Sequence, residues 1–362
     1  MNSFLIFLKK LNWFLILNVL LLAAIGLSSI FSSSLYDKDF SNFKKQILFL
    51  GIGFFLMILT AFFDYRFLKE SSYFLIFLYL FSLLLLAGLF FVKPIRGARA
   101  WYKIGGFSFD PMELLKLSLI LILAKYFSSR HIESYRLFHI FVSGCYLLLP
   151  TVFTFLQTNL GSALVIIGIW LGILLLSGIR IRHFLLLLFL GIILISVSWK
   201  FLLKDYQKQR ILAFLFPLDP WGINWNQNQA KIAIGSGGVF GKGFGKGVQA
   251  QYGFLPEAQT DFIFAAFCEE FGFLGGVLVL ILFFILFWQL LRVALISQNN
   301  FARLFILGWT ISLAIQFFIN VGMNLGILPI IGLPLPFVSY GGSSLLFNFL
   351  ELGIVESIYL RL

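Results

Sequence analysis

Long apolar segments recur along this chain and constrain its fold more than any other feature. Residues 73–92 and 304–323 contain no charged side chain, and about 20 such residues are what an α-helix needs to cross a bilayer. The composition agrees, because 60% of the 362 residues are hydrophobic, whereas soluble domains are usually near half apolar. The sequence therefore predicts an all-α, polytopic membrane protein.

The apolar segments predict about ten transmembrane helices in one domain. The predicted spans are 11–31, 46–63, 73–92, 112–127, 137–155, 163–179, 184–203, 261–291, 304–323 and 345–360. We expect a single transmembrane domain over residues 1–362, with a large extracellular loop at 204–260 between the seventh and eighth spans. The eighth span is longer than a bilayer requires, so we expect it to tilt or protrude.

The charges of the short loops indicate the orientation. A cytoplasmic N-terminus puts the cations of the short loops inside, so we expect both termini in the cytoplasm. The outer face still carries many cations, and binding of an anion there would explain them. They are Arg96, Arg99, Lys103, Lys208, Arg210, Lys231, Lys242 and Lys246. The net charge of +12 is scattered between apolar segments, which favours lipid headgroups or an anionic lipid-linked ligand over nucleic acid.

The stretch LPEAQTDFIFAAFCEEFG, residues 255–272, concentrates four acids where the long loop meets the eighth span. Asp261 lies where a helix is expected to start. One interpretation is a cap for free backbone N–H groups. The other is a carboxylate held half out of water at the mouth of a membrane helix, able to take a proton. Glu269 and Glu270 lie about two turns deeper, as either structural partners of buried cations or functional acids.

Two loops on the predicted outer face carry further candidates. FDPMELLK places Glu113 three residues before Lys116, so the two share one helix face and can pair. That pair either neutralises charge at a helix entrance or has a functional role. GKGFGKG offers backbone N–H groups with Lys242 and Lys246, which favours either a mobile turn or an anion cradle. It is not a Walker A loop, because glycine follows Lys242.

The last connection, LPIIGLPLPFVSYGGSS, combines prolines, glycines and serines in an apolar context. Non-helical backbone at membrane depth persists only where protein or a water-filled cavity covers it. We therefore expect a re-entrant loop that lines a cavity on the outer side, the alternative being a plain connector.

Taken jointly, these motifs resemble one known family. The chain contains GARAW, FDPMELLK, QTNLGSA, AIGSGGVFGKG, LPEAQTDFIF with CEEFG, and NVGMNLGILPIIGLPLPFVSYGGSS, in the order expected. Together they are similar to the SEDS family of polytopic peptidoglycan glycosyltransferases. Within the family, NVGM, GLPLP and the short termini resemble the elongation branch, RodA, more than the division branch, FtsW.

The resemblance implies a fold, a reaction and a location. Family members have ten transmembrane helices in the bacterial cytoplasmic membrane and polymerise lipid II, a disaccharide-pentapeptide on undecaprenyl pyrophosphate. It implies that Asp261 is the essential aspartate, that Glu113 and Lys116 form the paired acid and lysine, and that Ser343 or a neighbour is the serine of the last motif. We expect Glu113, Lys116 and Ser343 to contribute to substrate binding. It also implies a class B penicillin-binding protein as partner. The chain departs from the family at Asn159, where relatives often have Asp, so no charged role is expected there.

Physical chemistry indicates how such a site would work. Glycosyl transfer from a pyrophosphate needs a base for the acceptor hydroxyl and positive charge for the leaving group. We expect Asp261 to be the base, with a pKa raised by partial burial. The candidates to hold pyrophosphate are Arg99, Arg210, Lys242 and Lys246, with a divalent metal, Mg²⁺ or Mn²⁺, as a further candidate and no organic cofactor. A single displacement would invert the anomeric centre.

Two other classes of function fit some of the same features. A lipid II flippase would also use buried acids and a re-entrant loop, but carriers usually place their charges near the bilayer midplane. A non-catalytic scaffold for a transpeptidase is the third hypothesis. A polymerisation assay on the purified chain, alone and with its partner, separates the three.

Overall fold

Each apolar segment forms a helix, and the helices build one bundle. The computed structural model describes residues 7–94, 99–129, 137–201, 205–216 and 224–362. The helices that cover the ten predicted spans are α1 (Trp13–Ser33), α2 (Ser41–Phe62), α4 (Ser72–Gly88), α5 (Pro111–Ser128), α6 (Leu137–Leu156), α7 (Leu160–Leu176), α8 (Ile181–Phe201), α12 (Ile263–Ile296), α13 (Asn300–Leu325) and α14 (Gly342–Tyr359).

Six of these ten helices are long and apolar enough to cross a membrane by length and composition. They are α1, α2, α4 with the 3₁₀ turn that follows it, α6, α12 and α13. The other four are shorter, like α7, or carry charged residues, like α5 with Glu113, Lys116 and Lys125. The chain is thus a multi-pass helical protein, and the count of ten spans stays a prediction.

Helix α5 is the centre of the bundle. Residues 111–124 are all buried, because α4, α7 and α13 pack around this helix and α14 also touches it. Its start is well defined, since Pro111 occupies the first turn and the Asp110 side chain accepts a hydrogen bond from Met112 N. A polar pair on this helix is therefore enclosed by protein and not exposed to lipid.

The connections are more structured than the apolar pattern alone predicts. A β-hairpin, β1 (Tyr102–Ile104) and β2 (Phe107–Phe109), pairs antiparallel before α5, with positive φ angles at Gly105 and Gly106 in its turn. This hairpin is a small departure from the predicted all-α class. Four short helices lie in other connections, namely α3 (Arg66–Glu70), α9 (Asp205–Leu215), α10 (Trp225–Ser236) and α11 (Val248–Gln251).

Helix α12 differs from the unbroken eighth span that the sequence predicts. Gly272 has φ +67° and ψ −163°, so the helix is interrupted there. The glycine-rich loop 237–247 packs against the break and replaces the missing helical hydrogen bonds. Lys242 N and Gly243 N donate to the carbonyls of Glu269 and Glu270, and Phe273 N donates to Gly238 O. The extra length of this segment is thus absorbed by a break in the helix.

Candidate functional site

Asp261 lies in a turn just before α12, one residue before the N-cap position. The N-cap residue is Phe262, which makes no side-chain cap. The N–H of Ala265 in the first turn donates instead to Asn324 Oδ1, at 3.0 Å. An asparagine of α13 therefore caps one N–H of the first turn, and both interpretations of Asp261, as a helix cap and as a functional carboxylate, stay open.

Two buried asparagines hold the backbone of Asp261. Asn320 Nδ2 and Asn324 Nδ2 each donate to the carbonyl oxygen of Asp261 at 3.0 Å, and Asn320 also donates to Leu333 O at 2.8 Å. Both asparagines are fully buried, so these hydrogen bonds form away from water, where they are strongest. The sequence shows Asn320 and Asn324 only as polar interruptions of an apolar helix, and their partner, 59 and 63 residues away, was not predicted.

The Pro/Gly-rich segment 327–341 forms the other wall of this turn. Ser339 Oγ donates to Thr260 O at 2.6 Å, and Tyr340 N donates to Gln259 O at 2.8 Å. A Cβ placed on Gly332 would lie 3.5 Å from Asp261 Oδ2, so the carboxylate faces this glycine. The segment is non-helical, and its residues 335–339 are buried by protein, which agrees with the predicted covered loop, whereas the outer cavity beside it stays a prediction.

Glu113 and Lys116 form the ion pair that their spacing predicts. Lys116 Nζ lies 2.7 Å from Glu113 Oε2, and both side chains are about nine-tenths buried. Gln316 on α13 is a weaker neighbour, with its Oε1 at 3.5 Å from the same nitrogen. A buried charge is tolerated only when it is paired and hydrogen-bonded, so the pair is a fixed polar element inside the bundle.

Ser343 connects α14 to the start of α5. Its Oγ accepts a hydrogen bond from Asp110 N at 3.0 Å and donates to Ser108 O at 3.1 Å. Ser343 therefore ties the β-hairpin, the cap of α5 and the last motif together. Sequence reasoning did not single out Asp110, although the motif FDP places an acid directly before a helix.

Burial, together with the negative charge of Glu113, raises the pKa of Asp110 to about 7. An unfolded aspartate titrates near 4, so between pH 4 and 7 the folded protein binds more protons than the unfolded chain. Folding stability from this group is then present at low pH and is lost as the pH rises toward 7.

Asp110→Asn is expected to remove this pH dependence. The amide oxygen can still accept from Met112 N, but it carries no charge to desolvate. We expect the difference in thermal unfolding between variant and wild type to be smallest near pH 4, and the variant to gain on the wild type up to pH 8 by roughly 2–4 kcal/mol. Equal differences at both pH values would show that Asp110 does not titrate in this range.

Lys242 pairs with a fully buried acid. Its Nζ lies 2.7 Å from Glu269 Oε1, and the two oxygens of Glu269 also accept from Gln249 N at 3.0 Å. Glu269 is thus a structural partner of a cation, one of the two roles that the sequence allows. Glu270 differs, since it accepts from the Ser32 hydroxyl of α1.

The remaining predicted cations lie apart. Lys246 is exposed at the end of the glycine loop. Arg99 Nη1 donates to Phe90 O at 2.9 Å, at the end of the third predicted span. Arg210 belongs to α9, and its side chain lies outside the described residues, as does all of Arg96. The structure joins Lys242 with Glu269 and Glu113 with Lys116, but it shows no contact between those pairs.

Lys242→Met is expected to destabilise the protein far more than Lys246→Met. The first change leaves Glu269 buried without its cation and should cost roughly 2–3 kcal/mol, somewhat below a fully buried pair because Lys242 is partly exposed. The second removes an exposed charge from the same loop and should change stability by less than about 0.5 kcal/mol. Thermal unfolding in detergent compares them, and equal losses would contradict the role assigned to the ion pair.

The residues that the structure describes offer few side-chain ligands for a divalent metal. They contain no group of three or more His, Cys, Asp or Glu side chains that could hold an ion. Mg²⁺ is often held by one or two carboxylates together with substrate phosphates, so the divalent metal stays a prediction.

Sequence relatives cover almost the entire chain. Stage V sporulation protein E of Bacillus subtilis (strain 168) is 36% identical, over 95% of each chain. Peptidoglycan glycosyltransferase MrdB of Escherichia coli (strain K12) is 34% identical, over 94% of this chain and 92% of its own.

Solved structures show the same fold. The crystal structure of the rod shape determining protein RodA of Thermus thermophilus has a TM-score of 0.72 and 32% identity, with 96% of each chain covered. A chain from a structure of a peptidoglycan synthase complex, which concerns the coordination of polymerization and crosslinking, has a TM-score of 0.82 and 32% identity and covers 96% of this chain and 97% of its own.

The family profile agrees with these relatives. The family described as cell cycle protein, which groups FtsW, RodA and SpoVE, matches residues 8–361. The chain therefore belongs to the FtsW/RodA/SpoVE family, the SEDS family that its motifs resemble.

Proposed function

We propose that this protein is a peptidoglycan glycosyltransferase that polymerises lipid II into glycan strands. Relatives of nearly the same length carry the name peptidoglycan glycosyltransferase. The single observation that supports a catalytic centre is the position of Asp261, whose backbone is clamped by Asn320 and Asn324 while its carboxylate faces Gly332. A carboxylate fixed in this way is preorganised for proton transfer, because little reorientation is needed.

In the proposed reaction Asp261 acts as the general base. Its carboxylate takes the proton of the acceptor sugar hydroxyl while that oxygen bonds to the anomeric carbon of the donor. The bond from that carbon to the pyrophosphate oxygen breaks, and undecaprenyl pyrophosphate leaves with the bonding electrons. One displacement inverts the anomeric centre, so an α-linked donor yields a β-linked glycan.

The cations have different parts in this proposal. Lys246 is exposed and has no side-chain partner among the described residues, so it is the best placed to meet the pyrophosphate. Arg99 and Arg210 are further substrate-binding candidates from the outer loops. Lys242 supports the same loop through Glu269, and Glu113, Lys116 and Ser343 hold the start of α5 and the last motif in place.

The cellular role is a separate part of the proposal, because the relatives do not separate elongation from division or sporulation. The relatives named stage V sporulation protein E, MrdB and FtsW are all 34–36% identical to this chain. Sequence identity therefore does not assign the chain to one branch. The motifs NVGM and GLPLP support the elongation branch and a role in rod shape. The predicted topology places both termini in the cytoplasm and Asp261 at the outer face of the bacterial inner membrane.

The proposed partner is a class B penicillin-binding protein, a transpeptidase that crosslinks the new glycan. Support comes from the similar chain in a structure of a peptidoglycan synthase complex that couples polymerization with crosslinking.

A lipid II flippase is the second candidate, and one observation favours it. The buried pair of Glu113 and Lys116 lies inside the bundle, as the polar residues of carriers do. Proteoliposomes loaded with labelled lipid II separate the two functions when both polymer formation and translocation are measured. Polymer without any added polymerase supports the glycosyltransferase, whereas translocation without polymer, or neither, would reject it in favour of a carrier or a scaffold.

A further inference from the structure

A basic cavity opens at the end of the bundle opposite Asp261. It measures about 530 Å³ and is lined by the start of α3, the end of α5, the connection between α12 and α13, and the end of α14. Since α12 begins beside Asp261 and ends at Ile296, the two sites lie at opposite ends of that helix. In the predicted topology this cavity faces the cytoplasm.

The lining of the basic cavity carries four cationic side chains and no acidic one. They are Arg66, Lys69, Lys125 and Arg361. The potential inside therefore favours an anion.

Two of the four cations already have protein partners. Arg361 donates to the carbonyls of Ala61, Phe62 and Ser357 and lies 3.4 Å from Asp64, and Lys125 donates to Lys69 O. These contacts satisfy carbonyls near helix ends and need no ligand.

Arg66 and Lys69 differ from the other two cations. Both are exposed, and in the described part of the chain neither forms an ion pair or a side-chain hydrogen bond. These two side chains are therefore available to an anionic group.

An apolar groove adjoins the basic cavity, and Tyr65 lines both. The groove measures about 510 Å³, within the size range of ligand sites, and lies between α2, α4, α5 and α14. Its lining is mostly apolar, with Leu78, Leu117 and Leu350 among its side chains, and the one acid that lines it, Asp64, lies 3.4 Å from Arg361. Cations beside an apolar slot match a molecule that has an anionic head and a hydrocarbon chain.

We propose that the basic cavity and the apolar groove together bind an anionic glycerophospholipid from the leaflet opposite Asp261. Arg66 and Lys69 bind the headgroup phosphate, and one acyl chain lies in the groove beside Leu78. Membrane proteins generally carry an excess of cations on their cytoplasmic side, which explains why cations lie at this end of the bundle. It does not explain why an apolar groove borders them. A free phosphate would use the cavity and leave the groove without a role.

The test uses the full chain in nanodiscs of phosphatidylglycerol and phosphatidylcholine. After detergent extraction, mass spectrometry counts the lipids that stay bound. The key variant is R66Q/K69Q, and its matched control is K9Q/K10Q, which removes the same charge from two exposed residues that line neither cavity. L78W narrows the groove, thermal unfolding verifies folding, and inorganic phosphate is titrated as competitor.

We expect the wild type and K9Q/K10Q to retain phosphatidylglycerol above its share of the supplied mixture. R66Q/K69Q should lose this preference about tenfold, as expected when two cations that face an anionic headgroup are removed. L78W should lower retention of phosphatidylglycerol as well. Equal losses of phosphatidylglycerol in R66Q/K69Q and K9Q/K10Q would show that retention depends on general surface charge, and would overturn the proposal. If inorganic phosphate displaced phosphatidylglycerol while L78W had no effect, the cavity would be a site for a soluble anion, and the proposal would be overturned as well.

Discussion

Gly272→Ala is expected to unfold the region around α12 or to prevent stable folding. Gly272 has a φ of +67°, which residues with a side chain rarely adopt. A Cβ there would lie 2.3 Å from Gly241 N and 2.5 Å from Val239 O, so it would push the glycine loop off the break. Backbone strain and overpacking together should cost roughly 3–5 kcal/mol.

The matched control is Gly51→Ala within α2. A Cβ at Gly51 meets nothing within 4 Å, and alanine is the better helix former by about 1 kcal/mol. Thermal unfolding in detergent should therefore show a large loss for Gly272→Ala and no loss for Gly51→Ala. If both variants unfolded like the wild type, the packing of loop 237–247 into the break would be wrong.

Asp261→Asn is expected to keep the fold and to lose polymerase activity by about 10²–10⁴-fold, the usual contribution of a general base. The amide has the same shape as the carboxylate but cannot accept a proton. The clamp should persist, because Asn320 and Asn324 bind the backbone carbonyl of Asp261 and not its side chain.

The control for this variant is Glu257→Gln. Glu257 is an acid four residues earlier, and its side chain accepts from Thr260 Oγ1 at 3.0 Å. Polymerisation and thermal unfolding are measured on both variants beside the wild type. We expect activity within a few-fold of the wild type for Glu257→Gln. Full polymerase activity in Asp261→Asn would show that Asp261 is not the general base.

The features that are local in sequence could be predicted. Apolar runs locate the helices, because apolar side chains must be covered by either protein or lipid. The spacing of Glu113 and Lys116 predicts their ion pair, because residues three apart share a helix face. The last motif is predicted as covered non-helical backbone, since prolines and glycines rule out a regular helix.

The features that depend on distant contacts could not be predicted. The break at Gly272 exists because a loop about 30 residues earlier supplies replacement hydrogen bonds, and the apolar pattern continues through it unchanged. The pairing of Lys242 with Glu269 and the clamp from Asn320 and Asn324 depend likewise on tertiary contacts. A lysine in a glycine-rich loop thus suggests an anion site, although its first partner is a carboxylate of the protein itself.

The central proposal is that this chain polymerises lipid II, and incubation of the purified wild-type protein with labelled lipid II, in the presence of its transpeptidase partner, tests it most directly. The products are separated by size and then treated with a muramidase that cleaves β-linked strands. We predict long labelled strands that the muramidase degrades. Recovery of intact lipid II from pure, folded protein would contradict the proposal.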